Sequence, residues 1–210
     1  MKGENMSELK LFVTSDLHLN HDKDFVYASR GFQTIQEHDE AIIRNWNSVV
    51  SKNDMVYVLG DVIMGDDRED SLNKLKRLNG KIFILLGNHD TDKKFNDYSK
   101  CPNVFVVFDN KYDLMPMYSI MQKVGKWSFL CSHYPTIMTG NIFDSEHLSK
   151  RFCLHGHTHS KDKFEYFQYG CYNVALDAHN NTPVSIEDIK EDIRNEFSRK
   201  RNEILKNNEL

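Results

Sequence analysis

Proline and glycine are scarce, 4 and 10 in 210 residues, which excludes collagen-like chains and Gly/Pro-rich disordered ones. Cysteine is too sparse and too irregular for a disulfide framework or a thiolate metal knuckle: Cys101, Cys131, Cys153 and Cys171 show no CxxC spacing. Reduced thiols, and hence an intracellular, cytoplasmic protein, are expected. Long apolar runs are missing too. The longest, 55–59, 82–86 and 104–108, have five residues each, against the roughly 20 of a spanning helix, so no membrane partner is expected. The opening segment carries Lys2, Glu4, Glu8 and Lys10 and lacks the apolar body of a secretory signal. Charge of one sign is also lacking: 27 basic residues against 31 acidic ones leave −4, and duplex nucleic acid is not an expected ligand. Any phosphate-bearing ligand must therefore be captured by a local site.

What is present is core-forming material, 40% apolar residues, in a chain short enough for one domain over 1–210. Short apolar runs alternate with helical patterns. Strands are predicted at 11–14, 55–59 and 82–86. Between the first two, Ile35, Ile42, Trp46, Val49 and Val50 recur at helical spacing over 34–51, with Thr34 and Glu37 in the form of a capping box. Leu72, Leu75 and Leu78 mark a second helix, stopped at Asn79-Gly80. This strand–helix alternation predicts a parallel sheet. Closely spaced candidates at 104–108, 113–120, 126–132, 151–155 and 171–176 predict a second, largely antiparallel sheet. The tail, 185–210, places Ile186, Ile189, Ile193 and Phe197 on one stripe with acidic residues early and basic residues late, as the helix dipole favours. The fold class is α/β or α+β.

The polar clusters follow the strand candidates directly: Asp16-Leu17-His18, Gly60-Asp61, Gly87-Asn88-His89-Asp90, Ser132-His133 and His155-Gly156-His157-Thr158-His159. Loops at the carboxyl ends of parallel strands converge on one edge, so these clusters can meet. Asp16 with His18, and His157 with His159, have the spacing that would turn both side chains to one side of an extended strand. Each cluster alone also has a structural reading, a loop, turn or helix cap for the first ones and a partly buried histidine face for His155, His157 and His159; five together are improbable by accident. Carboxylates, an amide oxygen and imidazoles without thiolate suit manganese, iron, nickel or zinc. The donor count suits two divalent ions roughly 3.5–4 Å apart that share a hydroxide. Arg30 and His21, in the segment 20–32, are candidate phosphate contacts; a solvated arginine and a turn histidine are the alternatives. Cys131 and Cys153 are expected to fill the core beside the ligand strands.

The order of these blocks, DxH, GD, GNH[DE], H and GHxH, resembles the calcineurin-like metallophosphoesterases. The likeness spans residues 16–159 and is closest to the small cap-free enzymes of bacteria and phages, which share Asn45-Trp46-Asn47 and Pro183-Val184-Ser185. The resemblance implies a four-layer αββα sandwich of two mixed sheets flanked by helices. It also implies one ion on Asp16, His18 and His159, a second on Asn88, His133 and His157, and Asp61 as the bridge. His89 would be the general acid or a phosphate contact, and Asp90 would orient it or cap the next helix. The resemblance gives His155 no ligand role, and His179 is either a supporting group or a surface residue.

The function so implied is hydrolysis of a small phosphoester, with manganese as the first choice of metal. A phosphodiester of nucleotide type is favoured, and a chain of this length leaves little room for a substrate-selecting cap, so an open site for a nucleotide, a cyclic nucleotide or an oligonucleotide end is expected. A phosphomonoesterase is the alternative, as nucleotidase or protein phosphatase, although Gly60-Asp61-Val62-Ile63-Met64-Gly65 lacks the Asp-Arg pair of the protein phosphatases. A non-catalytic metal-binding scaffold is the third reading, weakened by the presence of His89.

Overall fold

The computed structural model describes residues 9–109 and 115–208. The first part of the predicted strand 113–120, the opening residues 1–8 and the last two residues of the tail lie outside that description. Along the chain run β1 (Leu11–Thr14), α1 (Asp24–Tyr27), α2 (Ile35–Val49), β2 (Met55–Val58), α3 (Arg68–Lys76), β3 (Lys81–Ile84), α4 (Asp92–Tyr98) and β4 (Val104–Val106). They are followed by β5 (Phe108–Asp109), β6 (Met115–Pro116), β7 (Ser119–Val124), β8 (Trp127–Ser132), β9 (Arg151–His155), β10 (Cys171–Asn173), β11 (Val184–Ser185) and α5 (Ile186–Asn208).

One sheet has the order β11-β1-β2-β3-β4, with β1 to β4 parallel and β11 antiparallel on the edge. Strand alternation sorts its side chains between two cores. Phe12, Val56, Val58, Ile82 and Ile84 pack with Ile42 and Trp46 of α2, Leu72 and Leu75 of α3, and Phe95 and Tyr98 of α4. Val13, with Leu59 and Leu85 just beyond β2 and β3, joins Phe129, Phe152, Leu154 and Tyr172 of the other sheet, and Ile189, Ile193 and Phe197 of α5. The result is two mixed sheets flanked by helices.

The second sheet, β10-β9-β8-β7, corrects the expectation of a largely antiparallel arrangement. Only β7 and β8 are antiparallel, whereas β8–β9 and β9–β10 run parallel. The reason is connection length. Antiparallel neighbours can be joined by a two-residue hairpin, and Gly125-Lys126 is one; parallel neighbours need a crossover of a dozen or more residues, which 133–150 and 156–170 provide without a long helix.

Local signals explain the helix boundaries. Thr34 Oγ1 accepts from Glu37 N at 3.2 Å, and the Glu37 carboxylate reaches back to Gln33 N at 3.0 Å, one residue earlier than a standard capping box. Asn45-Trp46-Asn47 serves packing: Trp46 Nε1 donates to Asn79 O, and Asn47 Oδ1 accepts from Asn79 N, which ties α2 to the turn after α3.

Candidate metal centre

The carboxyl ends of five strands deliver the polar clusters. β1 leads to Asp16 and His18, β2 to Asp61, β3 to Asn88 and His89, β8 to His133, and β9 to His157 and His159. Backbone bonds carry the first ladder past the strand ends: Asp16 N donates to Gly60 O, His18 N to Asp61 O and Leu19 N to Val62 O. The spacing-two pairs do not reach the site through extended backbone. Asp16, His18, Asp61, His157 and His159 have φ of 59, 49, 55, 69 and 52°. Left-handed backbone costs a residue with a Cβ about 1–3 kcal/mol, so the surrounding bonds must hold these turns, and the turns aim the side chains. Two glycines permit the close approach. A Cβ on Gly87 would run into Asp61 N and Oδ1, and one on Gly156 into Ser15 Oγ and Asp16 Oδ2.

The donor atoms form two overlapping groups, Asp16–His18–His159 and Asp16–Asp61–His133. Asp16 Oδ1 stands 3.8 Å from both His18 Nε2 and His159 Nε2. Asp61 Oδ2 lies 3.8 Å from His18 Nε2 and 3.6 Å from His133 Nε2, facing both groups. Asn88 Oδ1 lies 2.8 Å from His133 Nε2 and 2.9 Å from His157 Nδ1, and those nitrogens are 3.2 Å apart. The fold thus brings all seven candidate ligands together. Asp16 Oδ1 and His18 Nε2 are buried without a hydrogen-bond partner, a state that costs about 1–3 kcal/mol per group unless something satisfies it. A divalent cation would satisfy both, and the oxygen and imidazole donors fit it.

Charge follows the same geometry. Burial alone would raise the Asp16 carboxyl, but the neighbouring His18, His133 and His159 rings outweigh burial and hold it well below the usual carboxylate range. Burial depresses His18 and His157, favouring the neutral imidazole that a metal requires. His159 is raised, chiefly by its hydrogen bond to Asp177. That carboxylate is held down at about 2 because His159 and Arg30 overcome the effect of burial.

Arg30 departs from its expected role as a phosphate contact. Its side chain is only 1% exposed. Nε and Nη2 clasp Asp177, while Nη2 also donates to Asp16 O and Nη1 to Leu17 O. The guanidinium is committed inside the protein. His21 does stand at the site: its Nδ1 is 3.1 Å from His18 Nδ1, its ring lies 6.5 Å from His89, and burial pushes it down to about 4. Asp90 neither orients the His89 ring nor caps α4. Its Oδ2 accepts from Asp61 N and Gly87 N, and its Oδ1 from the Tyr98 hydroxyl, so it brackets two of the loops. His155 is buried with Nδ1 on Gly156 O, and His179 Nε2 is spent on Asn173 O. Cys131 and Cys153 are buried, as core filling requires.

Several contributors escaped the sequence reading. The Lys94 ammonium reaches Ile63 O and His89 O at 2.7 Å each. Asp177 and Tyr134 lie outside the motif blocks; the Tyr134 ring packs 4.4 Å from His157 and 5.2 Å from His133. Asp177 is unmarked because it acts through Arg30, 147 residues away in the chain, whereas Tyr134 and Lys94 lie next to or just after motif blocks but belong to none of them.

Comparison with known proteins agrees with this architecture. The chain is 30% identical over 187 residues to an uncharacterized protein of Methanocaldococcus jannaschii, covering 87% of this chain and 90% of that one. It is 30% identical over 163 residues to the gene 66 protein of Mycobacterium phage L5, covering 71% and 77%. The crystal structure of a protein of unknown function from Aquifex aeolicus shares the fold, with a TM-score of 0.61 at 21% identity over 88% of this chain and 99% of that one. The family description of calcineurin-like phosphoesterase matches residues 9–204. By that match, and by the sheet edge on which its five blocks converge, this chain belongs to the calcineurin-like phosphoesterases.

Proposed function

We propose that the protein is a metal-dependent phosphodiesterase for a nucleotide-type phosphoester, with two manganese ions as its resident metals. The observation that carries the reading is the pair of donor groups that share Asp16, with Asp61 Oδ2 facing His18 of one and His133 of the other, and with Asp16 Oδ1 and His18 Nε2 buried and unsatisfied. When bound, two divalent ions activate water and clamp phosphoryl oxygens. Asp16 and Asp61 offset only part of their charge, which leaves a locally cationic site within an acidic protein and so provides for phosphate capture. His89 is exposed at the edge of the cluster, its ring 6.0 Å from that of His18, where an imidazolium can supply a proton to a departing oxygen. Exposed rings lie beside the site: Tyr134 against the ligand candidate His157, and Phe25 at 5.7 Å from His21, which neighbours His18. Such faces suit stacking with a nucleobase. Among the described residues no helix is long and apolar enough to cross a membrane, and four free, buried cysteines suit a reducing cytoplasm.

A screen with manganese against cyclic nucleotides, dinucleotides, bis-aryl phosphates and phosphomonoesters tests the reading. Faster turnover of diesters is expected. Preference for monoesters would make the protein a phosphomonoesterase, and no turnover with both ions bound would make it a scaffold. Chelation is expected to abolish activity, and manganese to restore it better than magnesium, since imidazole-rich sites favour the softer ion. Elemental analysis should then find two ions per chain; one or none at saturation contradicts the two-ion centre.

Gly87→Ala is expected to cost about 10²-fold in diester turnover, the scale of a misplacement near 1 Å. The added Cβ must displace Asp61 or the β2 loop. Far-UV circular dichroism should report an intact fold. Unchanged turnover would mean that the loop yields without moving the carboxylate.

A further inference from the structure

We propose that Asp177, clasped by Arg30, is a positioning residue that holds the His159 ring with Nε2 turned toward the metal. The inference rests on the two-ion reading and adds to it a carboxylate from outside the motif blocks.

His159 is the most exposed of the histidine ligand candidates. Its side chain is 41% exposed, whereas those of His18 and His133 are 2% and 1% exposed, and it sits on left-handed backbone. Its two ring nitrogens face different carboxylates. Nδ1 is 3.2 Å from Asp177 Oδ2, and Nε2 is 3.8 Å from Asp16 Oδ1. A proton on Nδ1, donated to Asp177, leaves the Nε2 lone pair for an ion, because the hydrogen bond at one nitrogen sets the role of the other.

Asp177 is itself fixed. Arg30 Nε donates to Oδ1 at 3.1 Å and Nη2 to Oδ2 at 2.7 Å, a two-pronged pair with both side chains almost fully buried. Such a fork supplies direction as well as attraction. The same guanidinium holds Asp16 O at 2.7 Å and Leu17 O at 3.3 Å. Its Nη1 is 3.0 Å from His38 Nε2, and His38 Nδ1 is 2.8 Å from Asp39 Oδ1 on α2. Arg30 therefore ties the loop bearing Asp16 and His18 to the carboxylate that orients His159. One rigid connection sets the relative placement of three ligands of the same ion.

Titration calorimetry of manganese into the metal-free full chain tests the proposal. Asp177→Asn is expected to weaken one of the two ions by about 10–100-fold, the usual effect of removing a ligand's hydrogen-bond partner, and to leave the other unchanged. On a His159→Ala background the same substitution should add less than about two-fold, since Asp177 acts through that ring. Unchanged affinity for both ions, or an equal further loss without His159, would overturn the proposal. Should Asp177→Asn fail to fold, the unaltered metal-free protein still decides. Long-range ¹H–¹⁵N spectra should show neutral His159 protonated at Nδ1, and protonation at Nε2 would overturn the proposal. Uptake of fewer than two ions by the unaltered chain would instead sink the two-ion reading, with the ring spectrum still judging the role of Asp177.

Discussion

Asp61→Asn is expected to lower diester turnover by roughly 10³-fold or more, the scale of losing about 4 kcal/mol of charge stabilisation. Asp61 is buried, and its Oδ1 accepts from His89 N at 3.0 Å while Oδ2 faces His18 and His133 from between the two donor groups. Asparagine can keep the bond to His89 N through its single oxygen. The amide group then replaces Oδ2 and points hydrogens at both cation positions. Asp16→Asn should cost less. Asp16 Oδ2 is engaged by His157 N, and the nearest ring nitrogens to Oδ1, those of His18 and His159, belong to one group. Manganese content and turnover of both variants give the order. A milder loss at Asp61 than at Asp16 would move the bridge to Asp16, whose carboxylate is also within reach of both groups.

How much of this centre was legible in the sequence depends on how local each cause is. β1 and β9 fall at 11–14 and 151–155, where expected, because their apolar runs are bounded by residues that turn the chain. The ligand blocks were readable since each closely follows an apolar run. The aim of the side chains was not. Period-two spacing suggested extended pairs, whereas left-handed turns held by bonds between neighbouring loops do the aiming. Strand direction in the second sheet was hidden for a related reason: apolar runs mark strands but carry no direction, and the crossovers are loops without a helical pattern. α4 escaped notice because its apolar contribution is only Phe95 and Tyr98. Arg30 was misread most. Its partner Asp177 is 147 residues away, so a residue that looks like a loop cation in sequence is a buried clasp in the fold.

His89→Asn is expected to separate substrates by their leaving groups. Ions can activate water, but an alkoxide leaving group also needs a proton as it departs, and a positioned imidazolium supplies one at a typical gain of roughly 10²–10⁴ in rate. The geometry allows this role to be tested cleanly. His89 is anchored through its backbone, N–H to Asp61 Oδ1 and carbonyl to Lys94 Nζ, and among the described residues its ring nitrogens make no hydrogen bond. Replacing the ring therefore leaves those anchors and the neighbouring Asn88 in place, and both ions should be retained. Turnover of a nucleoside or alkyl diester should fall by the full 10²–10⁴-fold. A nitrophenyl diester, whose phenolate leaves without help, should lose far less. Equal losses on the two substrates would assign His89 to phosphate binding instead, and loss of an ion would place it among the ligands, so the ratio of the two losses, read beside the metal content, determines what the ring does.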